Sequence, residues 1–201
     1  MPALVHFGAS LPEHENLEAV ARLSMPNVAS GQSDPVVPLT LLPSAIDGWH
    51  GHPGIIMRND EEVEIIPVWQ IAGPEPPHKS RLSWTAQWSD KDAVLKLQID
   101  IALDEAGILT VETNLLREPA TKLVWLSAGA IPVPAHMPRI IDHGGRWTGE
   151  FQKQERRFTI GQHVRESREG RTGHADFPGM IFASESCNET AGECMAVTLC
   201  W

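Results

Sequence analysis

Two carboxylates, Asp142 and Glu150, flank the segment His143-Gly-Gly-Arg-Trp147. A pair of carboxylic acids is the equipment that most glycosidases use, one residue as the acid and the other as nucleophile or base. The spacing along the chain does not fix their separation in space. The pair is therefore a hypothesis about sugar chemistry that only the fold can test.

Two histidines separated by one residue, His50 and His52, resemble half of a metal site. Zinc sites need three or four ligands and a supporting second shell. Local spacing supplies no third ligand here. We therefore expect a polar loop, with no metal and no cofactor.

Seven tryptophans and no tyrosine make up an unusual aromatic set. Trp84, Trp88 and Trp125 lie in strand-like segments, which predicts that they fill a core. Trp49 and Trp147 lie in glycine-rich loops, where an indole ring is a better candidate for a carbohydrate or interface contact. These two residues are the aromatic site candidates.

The segment from Arg165 to Asp176 is dense in charges and turn-forming residues. It is either a solvated loop held by local ion pairs or a structured loop at an inter-domain face. Arg171 and His174 are its candidates for a carbohydrate or interface contact. If the loop docks on another domain, proteolysis of the isolated chain should cut near Arg168 or Arg171.

The net charge of −10 disfavours binding to nucleic acids and to anionic membranes. The three cysteines, Cys187, Cys194 and Cys200, are odd in number and are predicted to be buried reduced thiols. The first residues resemble no secretory signal. Together these features predict a cytoplasmic protein.

Period-two alternation of apolar residues is clearest at Leu95, Leu97 and Ile99, and returns in the segments around Leu82 and Leu109. This pattern is typical of half-buried antiparallel strands. The segment 122–131 is more uniformly apolar and predicts a strand buried on both faces. A strand is also expected at 157–164. The fold class is therefore all-β, as a large antiparallel β-sandwich.

Several separated elements in the last third of the chain resemble the N-terminal domain of family 36 glycoside hydrolases. They are His143-Gly-Gly-Arg-Trp147, Ser167-Arg-Glu-Gly-Arg-Thr-Gly-His174, Pro178, and Glu189-x-x-Gly-Glu193 before a final apolar strand. The resemblance covers Asp142 to Trp201. It implies a β-supersandwich of the galactose-mutarotase kind, spanning residues 1–201 as one domain that is cut short at its C-terminal end.

The resemblance also implies a function. Family members are α-galactosidases that hydrolyse terminal α-D-galactosyl residues, as in melibiose and raffinose, with two aspartates of a (β/α)₈ barrel. That barrel is absent from this chain, so no residue here is assigned a catalytic role. The implied work of the chain is to support the barrel and a homo-oligomer, and the chain alone is expected to be inactive.

Two other functions remain open from the residues. A stand-alone carbohydrate-binding β-sandwich would use Trp49 or Trp147 and would show sugar-dependent tryptophan fluorescence. An enzyme of the aldose 1-epimerase kind would need a positioned histidine and glutamate. The Asn-His strand motif associated with epimerases does not occur, which lowers that alternative.

Overall fold

The computed structural model describes residues 1–23, 37, 39–75, 80–90, 93–118, 122–168 and 175–200. The chain divides into two compact units, Met1–Pro132 and Val133–Trp201. Antiparallel strands dominate the described residues of both. In chain order the elements are α1 (Leu17–Leu23), a 3₁₀ turn (Ala45–Asp47), β1 (Ile55–Arg58), β2 (Glu64–Ile65), β3 (Gln70–Ala72), β4 (Arg81–Asp90), β5 (Ala93–Leu103), β6 (Leu109–Glu118), β7 (Lys122–Leu126), β8 (Arg139–Arg146), β9 (Gly149–Arg157), β10 (Asp176–Ala183) and β11 (Cys194–Thr198).

The first unit contains a sheet of order β3-β4-β5-β6 and a sheet of order β2-β1-β7. Side chains of the two sheets meet in a shared core, where Met57 of β1 and Leu95 of β5 are both fully buried. Leu97, Ile99 and Leu41 extend that core. Burial of an aliphatic side chain stabilises the fold by about 1.5–3 kcal/mol, so the core between the two sheets stabilises the first unit.

The predicted alternation along β5 is confirmed. Leu95, Leu97 and Ile99 point into the core, while Lys96 and Gln98 are exposed on the opposite face. β4 and β6 pair with β5 along nearly their whole lengths. The long β5–β6 hairpin, which turns near Gly107 with its φ of +82°, is thus the main structural element of the first unit.

Two strand predictions were wrong. β7 ends at Leu126 and lies at the edge of its sheet, where Leu123, Val124 and Trp125 are between 38% and 46% exposed. The apolar side chains of β7 are therefore open to solvent on both faces of the strand. In the second unit, β9 ends at Arg157 and the following segment to Val164 is not a strand.

The described strands of the second unit form a sheet of order β11-β10-β8-β9. β8 and β9 make a hairpin in which Arg146 pairs with Gly149, leaving Trp147 and Thr148 as the turn. A Cβ atom on Gly145 would lie 2.3 Å from the carbonyl oxygen of Gly149, so only glycine permits this close approach. The glycine-rich stretch interpreted as a loop is therefore largely strand.

Within the described part of the chain, no helix is both long enough and apolar enough to cross a membrane. The assignment of residues 1–201 to one supersandwich domain stays a prediction.

Candidate functional site

Asp142 of β8 is fully buried, with no solvent exposure, and is the most deeply buried charged residue among those of the second unit that the structure describes. Arg156 of β9 donates from Nη2 to both of its carboxylate oxygens, each at 3.1 Å. His163 places Nε2 at 2.8 Å from Oδ2. The carboxylate is thus enclosed by two partners from the adjacent strand and the segment after it.

The contact between Arg156 and His163 fixes the tautomer of the imidazole. Arg156 Nη1 lies 3.0 Å from His163 Nδ1. A guanidinium group only donates, so Nδ1 must accept and Nε2 must carry the proton that is donated to Asp142. The three side chains form a closed network of hydrogen bonds.

A cavity of about 300 Å³ lies beside this network. Phe158 stacks on Phe182 there, with ring centroids 5.7 Å apart. The remaining wall is mixed, with apolar side chains on one hand and arginine, threonine, glutamine and histidine side chains on the other. The lining residues are Val133, Ile140, Arg156, Arg157, Phe158, Thr159, Ile160, Gly161, Gln162, His163, Met180 and Phe182.

The pair of carboxylates suggested by the sequence does not form a catalytic dyad. Asp142 is sealed from solvent, and both of its oxygens are already used. Glu150 accepts from the backbone N–H of Thr148 at 3.1 Å, inside the β8–β9 turn. A general acid or nucleophile must reach its substrate, and Asp142 cannot.

Arg139 fixes the turn that joins β10 to β11. Its Nη1 donates to the carbonyl oxygens of Ser184 at 3.1 Å and Cys187 at 2.7 Å, while Nε donates to Glu155 at 2.6 Å. The prediction that the cysteines are buried was wrong. Cys194, at the start of the edge strand β11, and Cys200, after it, are exposed, and Cys187 in the preceding turn is only partly covered.

Arg165 begins the charged segment that was a candidate interface loop. Its Nη2 donates to the carbonyl oxygens of His143 at 2.9 Å and Ala175 at 3.1 Å, and it forms an ion pair with Asp176. The start of the loop is therefore tied to β8 and β10. Arg171 and His174 lie outside the described residues, so their roles stay predictions.

The two candidate tryptophans lie in different units and have different surroundings. Trp147 is 74% exposed at the turn between β8 and β9. Trp49 is half-buried, and its Nε1 donates to the carbonyl oxygen of His52 at 3.2 Å. A Cβ atom on Gly51 would lie 2.7 Å from the Trp49 ring, which explains a glycine at that position. Their assignment to carbohydrate or interface contact stays a prediction.

His52 and Trp125 form an aromatic pair that the sequence did not indicate. The His52 ring meets Trp125 edge-on, with centroids 4.8 Å apart, and its Nδ1 lies 3.0 Å from the carbonyl oxygen of Pro53. Trp125 is 46% exposed, so the prediction that it fills the core was wrong. Among the described residues, no three potential metal ligands lie together.

Asp100 is a buried carboxylate on the outward face of the first unit. Ser83 donates to Oδ1, while Gln98 Nε2 at 2.9 Å and Arg81 at 3.0 Å approach Oδ2. Burial alone would raise the pKa of Asp100, but the hydrogen bonds from Ser83 and Arg81 outweigh it and hold the pKa below its usual range. Asp100 is therefore a charged anchor for the side chains around it.

Comparison with known families decides how these features are to be interpreted. The family model described as the glycosyl hydrolase family 36 N-terminal domain matches residues 1–201. The chain belongs to this family. The resemblance inferred from the last third of the sequence thus extends over its whole length.

Relatives and solved structures agree with this assignment. The chain is 31% identical over 200 residues to an α-galactosidase of Escherichia coli, covering 98% of the chain and 27% of that protein. A variant of the family 36 α-galactosidase AgaA of Geobacillus stearothermophilus, in complex with raffinose, superposes with a TM-score of 0.69 at 16% identity, covering 96% of this chain and 30% of that one. The α-galactosidase AgaB of the same organism gives a TM-score of 0.58 at 16% identity, covering 77% and 24%.

The fold class predicted from the sequence, an all-β antiparallel sandwich, is confirmed. The chain spans less than a third of the length of these relatives. Function must therefore be argued for a domain.

Proposed function

We propose that this chain is the non-catalytic N-terminal domain of an α-galactosidase that hydrolyses terminal α-D-galactosyl residues in oligosaccharides such as melibiose and raffinose. The observation that carries the proposal is the 31% identity to the Escherichia coli α-galactosidase over 98% of the chain. The raffinose complex of the related AgaA variant supports the same class of substrate.

The buried groups support a structural role. Asp142 is held by Arg156 and His163, and Asp100 is held by Ser83 and Arg81. Each carboxylate satisfies partners inside its own unit and neither is open to a substrate. Buried charges that are fully paired fix a particular arrangement of strands, which suits a domain that supports another one.

The partner that this domain supports is a catalytic (β/α)₈ barrel in the same polypeptide, and the enzyme is a homo-oligomer. The support for a further catalytic part is the coverage of 27% to 30% of the relatives. The charged loop that begins at Arg165 is the contact we propose for the barrel. The segment that precedes this loop in the sequence also exposes apolar side chains. Phe158 is 48% exposed and Val164 is 68% exposed, and such apolar surface is typical of a protein contact.

A cytoplasmic location is part of the proposal. Cys187, Cys194 and Cys200 are free, and two of them are exposed. Exposed thiols persist in a reducing compartment and are oxidised in an oxidising one. Fractionation of the native cells, followed by immunodetection of the protein, tests this: recovery in the secreted or periplasmic fraction would contradict it.

The experiment that tests the function compares two proteins made from the native gene. One is the 201-residue chain, and the other is the product of the complete reading frame. With p-nitrophenyl α-D-galactoside and raffinose, the complete product should hydrolyse both and the 201-residue chain neither. Hydrolysis by the 201-residue chain would show that the domain is itself catalytic.

A further inference from the structure

The outward face of the sheet β3-β4-β5-β6 carries a groove of about 560 Å³. This face is opposite the one that packs in the core, because Leu97 and Ala86 are buried while Lys96 and Gln87 are exposed. The side chains that define it come from all four strands. Those on the outward face are Gln70, Ala72, Thr85, Gln87, Lys96, Gln98, Asn114 and Leu116, and Ile71, Ala86 and Leu97 complete the lining.

The strand register arranges these side chains in two rows that run across the sheet. The first row consists of Gln70, Gln87, Lys96 and Leu116, each paired with the next across neighbouring strands. The second row consists of Ala72, Thr85, Gln98 and Asn114. Cross-strand partners lie about 5 Å apart, so the groove presents a regular grid of hydrogen-bonding groups.

Some of the amide side chains in this grid are held by hydrogen bonds within the sheet, and others are not. Gln98 donates to the buried Asp100, and Asn114 donates to Glu112 at 3.0 Å, which leaves their side-chain oxygens as acceptors. Within the part of the chain that the structure describes, the side chains of Gln70 and Gln87 have no hydrogen-bond partner. An amide supplies both donors and acceptors, as a hydroxyl group does.

The charge and shape of the groove favour one class of ligand. Lys96 is its single charged lining residue, although the chain as a whole carries 42 charged residues. No aromatic ring lines the groove, although Leu116 and Ile71 are exposed apolar side chains in its lining, whereas the centre of a protein interface is enriched in aromatic residues. We propose that this groove, which we name the amide groove, binds a neutral oligosaccharide through the amides of Gln70, Gln87, Gln98 and Asn114.

The binding is expected to be weak and tolerant of sugar type. Aromatic stacking contributes much of the affinity in many sugar sites, and the amide groove has none. Amide rows recognise hydroxyl groups rather than one anomeric linkage. The inference therefore does not depend on the α-galactosidase activity, and maltotriose, which contains no galactose, should bind within about threefold of raffinose.

The test is a titration of the ¹⁵N-labelled 201-residue chain with raffinose and with maltotriose, followed by amide chemical shifts. The expected result is saturable shifts that centre on β3, β4, β5 and β6. The double variant Gln70→Ala/Gln87→Ala should weaken binding by at least about fivefold, because two neutral hydrogen bonds are lost. Gln152→Ala, which removes an exposed glutamine from β9 of the second unit, should bind like the unchanged chain.

Three results would overturn the proposal. The first is the absence of saturable shifts with either sugar, and the second is shifts that centre on Trp49 or Trp147. The third is equal affinity in the double variant. Light scattering on the same samples adds a check: if the double variant changes the molar mass in solution, the groove is a contact between copies of the chain and not a sugar site.

Discussion

Asp142 shows how one residue organises the second unit. Its carboxylate is fully buried, and it depends on Arg156 and His163 for every strong contact that the structure describes. Removing the charge of Asp142 would leave its partners without a counter-charge. The resulting loss of folding free energy exceeds the net stabilisation that the intact pair provides. Its role is therefore to hold the segment after β9 against the sheet.

The first prediction concerns the substitution Asp142→Asn. It should lower the free energy of unfolding by about 1–3 kcal/mol, since Arg156 loses its counter-charge while it stays partly exposed to solvent. Urea denaturation followed by circular dichroism measures the change. Asp60→Asn, in an exposed turn of the first unit, should change stability by less than about 0.5 kcal/mol. Equal effects of the two variants would contradict the structural role.

The second prediction concerns Asp100 and pH. The folded state holds the pKa of Asp100 below 3.8, the usual value, so its stabilising contribution is complete above that pH and is lost as the pH falls through the folded-state pKa. Asp100→Asn should therefore be less stable at pH 7, and its stability should change less between about pH 4 and pH 2. Urea midpoints measured across that range, with Glu105→Gln as the exposed control, check the sign. A steeper acid loss in Asp100→Asn would contradict it.

The sequence indicated which residues carry reactive or aromatic side chains, but it did not show which residues surround them. The pattern along β5 indicated that Asp100 faces outward, yet its burial depends on Ser83 and Arg81 of the neighbouring strand. The sequence pattern predicts that Trp125 is a core residue, but its strand lies at a sheet edge and its side chain is 46% exposed. Both facts come from pairing between distant segments, which no local pattern contains.

At the scale of elements, the hairpin β8–β9 carries a strained turn. Thr148 has a φ of +67°, in the left-handed region that β-branched residues rarely adopt. Thr148→Gly should raise the free energy of unfolding by about 0.5–1 kcal/mol, because glycine adopts this conformation without steric strain. Thr110→Gly, near the start of the extended strand β6, should lower it. Thermal denaturation of both variants measures the difference, and a destabilised Thr148→Gly would show that the threonine side chain contributes more than its strain costs.

The hairpin β5–β6 offers a sharper comparison of two leucines. Leu97 is 2% exposed in the core and Leu116 is 69% exposed on the opposite face. Leu97→Ala should lower stability by about 2–5 kcal/mol through lost burial and a new cavity, while Leu116→Ala should change it by less than about 0.5 kcal/mol. Denaturant unfolding separates these values easily. Similar losses would mean that the assignment of faces is wrong.

Strands with a clear period of two were predictable, and strands without one were not. β4, β5 and β6 alternate cleanly, and the structure places them as the sequence indicated. β8 and β9 contain a glycine-rich stretch that is typical of a loop, but Gly145 is needed for close backbone contact within the hairpin. The segment after Arg157 lacks strand partners and folds across the sheet, where His163 reaches Asp142.

At the scale of the whole molecule, the last third of the sequence was enough to indicate the family, since its motifs occur in a fixed order. The family model extends the assignment over residues 1–201. The amide groove was not predictable in this way, because its lining is defined by the register of four strands. Family and fold class thus follow from local motifs, whereas candidate sites follow from pairing.

We propose that this chain is the N-terminal domain of a larger α-galactosidase. The most direct measurement is the sequence of the native gene beyond the codon for Trp201. We expect an open reading frame that continues into alternating strand and helix segments, with aspartates at strand ends, as a catalytic (β/α)₈ barrel requires. A stop codon directly after Trp201, or a continuation without such a pattern, would contradict it.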